Sequence, residues 1–407
     1  MKVLVLNSGS SSVKFQLFEF DDGNTVLAKG IADRIGLPDA EIVCTCERQA
    51  KGRCPAKDRR EADIPDHQAA IDSICKTLLS AECGAIQDLT ELAGIGHRVV
   101  HGGERFTGSV IIDDAVIEGI EECVPLAPLH NPPALLGIRA CAKIFENIPQ
   151  VAVFDTAFHH TIPQKAYRYG IPKELYTKHR VRKYGFHGTS HYYVANEAAR
   201  ILGKPIQDLK IITCHLGNGC SITAVQGGKS IETSMGLTPL AGTMMGTRSG
   251  DIDPFIPFFM VKEVGMTVDE AEKTLNKESG LKGICGHNDV RDVIEGMEKG
   301  DKDCGLALEM FTYRIASYIG NYAMVMGGVD AIVFTAGIGE RSPLVRAKIL
   351  QHAGFLGVTI DPEKNEQNEI NIATDNSKVA ALVVPTNEEL VIARQTRRCV
   401  ENLRQNP

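Results

Sequence analysis

Four motifs carrying charge or imidazole crowd the middle of the chain. Arg98 lies in Gly-His-Arg-Val-Val-His-Gly-Gly, Asp155 in Phe-Asp-Thr-Ala-Phe-His, His187 in Phe-His-Gly-Thr-Ser-His, and Arg248 in Gly-Thr-Arg-Ser-Gly-Asp-Ile-Asp. Nine of the twelve histidines fall between His97 and His215. A guanidinium is a fixed cationic fork that matches carboxylate and phosphate oxygens, so two such arginines among histidines point to the handling of an anion. A single Arg or His in a loop is more often structural, and only the grouping argues for chemistry. His187 and His191 are four apart, the spacing of a zinc pair on a helix. The Gly-Thr-Ser between them lacks the Glu of a zinc protease and reads as a helix start. The run His179-Arg180-Val181-Arg182-Lys183 reads as a solvated basic face.

Three strand ends add small residues. The first is Asn7-Ser8-Gly9-Ser10-Ser11-Ser12 with Lys14 two positions on. Its amides and hydroxyls, Ser10 and Ser12 among them, can approach an anion to which Lys14 adds a point charge. It is not a Walker loop, because G-x-x-x-x-G-K-[ST] is absent. The second is His215-Leu216-Gly217-Asn218-Gly219, where Asn-Gly is also the commonest hairpin turn. The third is Gly337-Ile338-Gly339-Glu340, between a strand and a helix, so that its amides could face a phosphate. Each alone is compatible with a plain turn; three together, with no dinucleotide fingerprint, favour a phosphate-facing role.

The elements that must hold these tips alternate between strand and helix. Apolar runs predict strands at Lys2–Asn7, Val13–Phe20, Ile95–Val100, Val151–Phe154, Ile211–His215, Ile222–Val225, Ala331–Thr335 and Val379–Pro385. Helical spacing marks His67–Leu79 and Asp113–Cys123, a helix from about Pro343, and a last one over Glu388–Asn402. Glu41–Glu61 reads as exposed hairpin and loop. The class is therefore α/β. Strand, small polar tip, strand occurs once near the N-terminus and again at 211–225, which suggests a duplicated architecture.

Bulk properties narrow the partners. At 407 residues the chain is long for one core, and two domains are expected. A net charge of −7 argues against nucleic acid. No apolar run is long enough for a membrane span or signal peptide, so a cytoplasmic location is expected. There the twelve cysteines should be free thiols. Cys44, Cys46 and Cys54 could bind a metal in principle, but their spacing fits no zinc pattern.

Taken together, Asn7–Lys14, Gly96–Gly103, Phe154–His159, Phe186–His191, His215–Gly219, Gly246–Asp253, Ala336–Glu340 and Thr386–Leu390 resemble the acetate kinase (acetokinase) family of short-chain carboxylate kinases. The motifs run in the family's order over essentially the whole chain. The resemblance implies a two-domain actin-like ATPase fold of the acetate and sugar kinase superfamily, each domain a mixed sheet flanked by helices, with a cleft between. It implies an N-terminal domain of residues 1–150 plus 386–407, to which the last helix returns, a nucleotide-binding domain of 151–385, and a homodimer. It further implies that Asn7 and Glu388 hold Mg²⁺ (with Mn²⁺ as a substitute), that Lys14 contacts ATP, and that Arg98 binds the substrate carboxylate. Asp155 is implied as catalytic, with His187 and Arg248 stabilising the transition state. The nucleotide would be lined by His215, Leu216, Gly217, Asn218 and Gly219, by Asp289, Val290 and Arg291, and by Gly337, Ile338, Gly339, Glu340 and Arg341. The acyl methyl would sit among Val100, Leu129, Phe186 and Pro239. Arg341, Cys220 and Ala241 depart from the family's usual residues, beside the charged constellation and not within it.

The implied reaction is reversible phosphoryl transfer between ATP and acetate, with propionate or butyrate as the alternative acceptor. A carboxylate acceptor is already ionised at neutral pH, so it needs no general base. Asp155 is therefore expected to organise Mg²⁺, its waters or a neighbouring cation. A non-metabolic ATPase of the same fold would have no reason to assemble Arg98, Arg248 and His187.

Overall fold

The structure is a computed structural model that describes residues 1–21, 23–46, 58–80 and 83–405. Cys54 and the middle of the loop expected at 41–61 lie outside the described residues. The chain divides into two compact units, Met1–Ala157 with Asn387–Pro407, and Phe158–Thr386. The sequence reading placed the first boundary at residue 150. The strand Gln150–Phe154 instead completes the first sheet, and the chain leaves that unit only after Ala157.

The first unit contains β1 (Lys2–Ser8), β2 (Ser12–Glu19), β3 (Thr25–Asp33), β4 (Glu41–Cys46), β5 (Asp58–Glu61), β6 (Leu92–Val99), β7 (Val110–Ile111) and β8 (Gln150–Phe154). Their order in the sheet is β5-β4-β3-β2-β1-β6-β8-β7. β1 is the continuous run Val3-Leu4-Val5-Leu6, all four buried, as expected of a strand covered on both faces. On one face Leu4, Leu6, Phe15 and Leu17 pack with Ile71, Ile74 and Leu78 of the helix His67–Leu79. On the other lies the final helix, Glu388–Gln405, pressed against β6. A Cβ on Gly96 would come within 2.3 Å of Thr396 Oγ1, so the helix can approach this strand only because that position carries no side chain.

The second unit contains β9 (Lys210–Leu216), β10 (Cys220–Gln226), β11 (Lys229–Thr233), β12 (Ala331–Thr335) and β13 (Ala380–Val383), ordered β11-β10-β9-β12-β13. The helix Gly188–Leu202 packs Val194, Ala195 and Ala198 on Ile211, Ala331 and Val333. The 25-residue helix Lys302–Met326 buries Phe311, Ile315, Ile319 and Tyr322. The suspected duplication is visible in the topology. β3-β2-β1-β6-β8 and β11-β10-β9-β12-β13 are the same arrangement, an antiparallel three-strand meander continued by two strands parallel to its first.

One cysteine expectation is corrected. Cys46, at the end of β4, and Cys83 form a disulfide with Cα atoms 5.7 Å apart. A separation of 37 residues carried no signal of it. Nine other cysteines are not disulfide-bonded.

Candidate active site

In the first unit the tip between β1 and β2 is closed by Gly9 N–H donating to Ser12 O at 2.7 Å, and Ser10 and Ser11 are exposed. The register pairs Asn7 directly with Lys14, so these two side chains share a face. Arg98, next to last in β6, donates from Nη2 to Asp155 Oδ2 at 3.1 Å; Asp155 follows β8, the strand parallel to β6. Glu388 opens the final helix, whose seat on β6 brings Oε2 to 3.9 Å from Arg98 Nε. That Nε is buried and makes no hydrogen bond. Burial works against the Arg98 charge, but Asp155, Glu388 and Glu389 outweigh it and hold the guanidinium protonated. Glu388 is raised from 4.5 to about 7, by burial above all and then by Asp155 and Glu389, against the pull of Arg98 and Lys14.

This arrangement fits a divalent cation. Glu388 is a carboxylate pushed toward neutrality by its surroundings, and hard cations such as Mg²⁺ take one or two carboxylates, the rest of the shell being water and phosphate. A positive charge beside Glu388 would oppose the burial that raises its pKa.

In the second unit the chemistry is carried by rings and hydroxyls. His187 sits at φ +56° as the N-cap of the helix Gly188–Leu202, a left-handed conformation unusual for a side chain of its size. The expected helix start between His187 and His191 is present. His187 stacks on His215 with ring centres 4.1 Å apart, and its Nδ1 lies 2.8 Å from Ser221 Oγ. Ser221 Oγ is also 2.7 Å from Nε2 of the fully buried His191, whose Nδ1 is 2.7 Å from Thr213 Oγ1. Burial, then the charges of His159, His215 and His187, keep His191 neutral. Both its ring nitrogens are occupied, which disposes of the zinc-pair spacing.

Donor roles follow from the far end of this chain. The Thr213 hydroxyl also reaches the Thr223 carbonyl at 3.4 Å, to which it can only donate. Thr213 then accepts from His191 Nδ1–H, Ser221 donates to His191 Nε2, and the Ser221 oxygen accepts from His187 Nδ1–H. His187 is thus fixed in one tautomer, and its Nε2 becomes a donor only when the ring is an imidazolium.

Arg248 is half-buried, and burial lowers its pKa. A Cβ on Gly219 would lie 3.3 Å from Arg248 Nη1 and 3.5 Å from His187 Cε1, so the bare Gly219 backbone runs against both side chains. Cys220, the departure from the family pattern, closes this tip: its thiol, pushed up to about 12 by burial, donates to Gly217 O at 3.1 Å.

Beside them is a cavity of about 760 Å³ lined in part by Gly217, Asn218, Asp289, Val290, Arg291, Gly337, Ile338 and Arg341. Eight expected nucleotide residues are thus brought together. Leu216 and Gly339 are instead buried. The Gly337–Glu340 stretch is not an open tip: Ala336–Arg341 is a short helix entered through Ala336 at φ +64°, and Glu340 accepts from Ala336 N–H at 2.8 Å. Among the four expected acyl-pocket residues, Val100 and Phe186 are buried, Pro239 is half-buried, and Leu129 is 68% exposed. Sequence reasoning missed Ser221 and Thr213, which look like ordinary strand residues, and Asn288, Ile294 and Leu344 on the cavity wall.

Residues 2–394 match the model of the acetokinase family. The chain belongs to that family. An acetate kinase of Thermotoga petrophila is 54% identical, over 99% of this chain and 100% of its own length. The crystal structure of Porphyromonas gingivalis acetate kinase superimposes with a TM-score of 0.91 at 43% identity, covering 98% of this chain and 99% of that one. A propionate kinase from Francisella tularensis has a TM-score of 0.89 at 45% identity, with the same coverage. The fold expected from the acetokinase motifs, two mixed sheets flanked by helices, is the fold observed. No helix among the described residues is long and apolar enough to cross a membrane.

Proposed function

We propose that the chain transfers the γ-phosphoryl group of ATP reversibly to acetate, giving acetyl phosphate and ADP. The observation that carries the acceptor assignment is Arg98: a half-buried cation whose buried Nε makes no hydrogen bond, held by Asp155 at its other end, suits a small carboxylate that arrives already ionised. Two anions must then approach each other, and the barrier is their repulsion. Arg248 and His187, both against Gly219, suit the charge that spreads over the transferring phosphoryl oxygens. The 760 Å³ cavity of the second unit has room for a nucleotide, and Lys14, Ser10 and Ser12 at the tip of the first unit are of the types that suit phosphates.

Asp155 acts as a positioning group for Arg98, since its contact is the guanidinium and the acceptor has no proton to give. Asn7 and Glu388 would hold Mg²⁺, which supplies charge neutralisation on the phosphates. Direct in-line transfer follows, with inversion at phosphorus. Phe255, Phe258 and Phe259 are exposed together at the helix Ile256–Lys262, an apolar face that supports a homodimer.

A longer acceptor is the second reading, favoured by the likeness to the propionate kinase structure. A small apolar pocket separates acceptors differing by one methylene by about 1–3 kcal/mol. We expect acetate to be preferred over propionate by about 10- to 100-fold in kcat/KM. A hydroxamate assay with ATP, Mg²⁺ and acetate, propionate or butyrate decides it. Equal values would move the assignment to propionate, and no acyl phosphate from any of the three would defeat it.

A further inference from the structure

A cluster of three sulfurs lies outside the kinase machinery. Strand alternation puts Cys44 and Cys46 on one face of β4, under the end of the helix His67–Leu79. Cys83 follows that helix, its N–H donating to Ser80 Oγ at 3.2 Å. Cys44 Sγ is 3.7 Å from Cys46 Sγ, and all three sulfurs lie within 4.8 Å of one another. Cys44 and Cys83 are 2% and 3% exposed, inside the apolar core of this unit. We propose that, once the Cys46–Cys83 bond is reduced, these three cysteines form a binding site for a thiophilic cation of the zinc or copper(I) class.

The donor set decides the class of ion. Three sulfurs with no oxygen or nitrogen select soft or borderline metals and reject Mg²⁺. Two thiolates on a tetrahedral ion with bonds of about 2.3 Å stand roughly 3.8 Å apart, close to the Cys44–Cys46 spacing. Two elements far apart in sequence, β4 and the segment after a helix, have already been folded so that little rearrangement is required. An apolar surround disfavours isolated thiolates and so favours a cation that offsets part of their charge.

The steps balance. A dithiol reductant closes its own S–S bond and gives up two electrons and two protons; the Cys46–Cys83 bond opens and both sulfurs become thiols. A zinc ion then displaces three thiol protons into solvent as three Zn–S bonds form, and water fills the fourth position. Disulfide and metal are alternative ways of tying β4 to the end of the helix.

Cadmium titration, read by thiolate-to-cadmium charge-transfer absorption, tests this on the full chain. Other cysteines also bind cadmium, so the reference is Cys44→Ser/Cys46→Ser/Cys83→Ser, with kinase activity as the check of folding. Reduced wild type should take up one equivalent more than the triple variant, and zinc should displace it. Unreduced wild type, its disulfide confirmed by mass, should match the triple variant. Cys44→Ser, which leaves the disulfide pair intact, should also lose the extra equivalent. Equal uptake by reduced wild type and triple variant overturns the proposal. So does retention of the extra equivalent by Cys44→Ser or by the disulfide-bonded chain.

Discussion

In the first unit Arg98, Asp155 and Glu388 are ionisable groups set against one another, and burial above all, then Asp155 and Glu389, carries Glu388 to about 7. In the second unit His187, His191, Ser221 and Thr213 form a chain of hydrogen bonds in which burial keeps His191 neutral. The topology that places them is the same twice over: an antiparallel meander continued by two strands parallel to its first. A duplicated scaffold has thus been used for two kinds of electrostatics. One constellation is unbalanced until ligands arrive, and the other is balanced and holds one ring in one tautomer.

The largest effect that separates them is expected at the arginines. Arg248→Ala should lower kcat by about 10²–10³, the usual cost of one donor to a developing charge. Its guanidinium has no carboxylate partner within salt-bridge distance among the described residues, so the unfolding temperature should hardly move. Arg98→Ala should lower activity as well, but it also strands Asp155 and Glu388 without their cation and should therefore lower the unfolding temperature. Kinetics and thermal melts on both variants provide the check. Equal melting temperatures for the two would erase the contrast between the constellations.

Next is Glu388→Gln, where activity and stability should part. Between about 4.5 and 7 the native state binds this proton more tightly than the unfolded chain does, so stability falls as pH rises through that window. The shift corresponds to up to roughly 3 kcal/mol above pH 7. Loss of an acidic group from the first turn of a helix costs about 0.3–1 kcal/mol in the other direction, so the burial effect wins. Without Mg²⁺ at pH 8, Glu388→Gln should be more stable than wild type, with the gain vanishing toward pH 4.5 and with acetate phosphorylation severely reduced. A variant less stable than wild type at pH 8 would show that the carboxylate is not crowded as described. The same raised pKa predicts that Mg²⁺ binding weakens as pH falls below about 7, because the cation must then displace a proton.

The two constellations were not equally legible in the sequence. Arg98, Asp155 and Arg248 stood in distinctive motifs, and β1, β6, β9 and β12 were apolar runs that could be read as buried strands. The domain boundary was misplaced because β8 looks the same whichever sheet it joins, and only its pairing with β6 settles that. Ser221 and Thr213 could not be found, since a hydroxyl on a strand carries no sign of the ring it will meet. Gly337–Glu340 was read as lying between a strand and a helix, whereas Ala336–Arg341 is itself a short helix in which Glu340 accepts from Ala336 N–H. Cys46 and Cys83 carried no pairing signal at all.

Ser221 gives the smallest and most discriminating test. Its hydroxyl links the His187 side chain to the buried His191 ring, and it touches His187 at Nδ1, away from the nitrogen that would face a phosphoryl group. Ser221→Ala should leave the KM values for acetate and ATP nearly unchanged, because no substrate-binding group has been removed. It should lower kcat by about 10-fold, as a neutral hydrogen bond of about 1 kcal/mol is lost and His187 is released to a second tautomer. Ser221→Thr restores the hydroxyl and should recover most of kcat. If Ser221→Ala and Ser221→Thr lose kcat equally, the serine is there for packing, and His187 is oriented by its stacking on His215 alone. If only the alanine variant loses it, the neutral network of the second unit has a measurable share in the reaction that the charged residues of the first unit cannot replace.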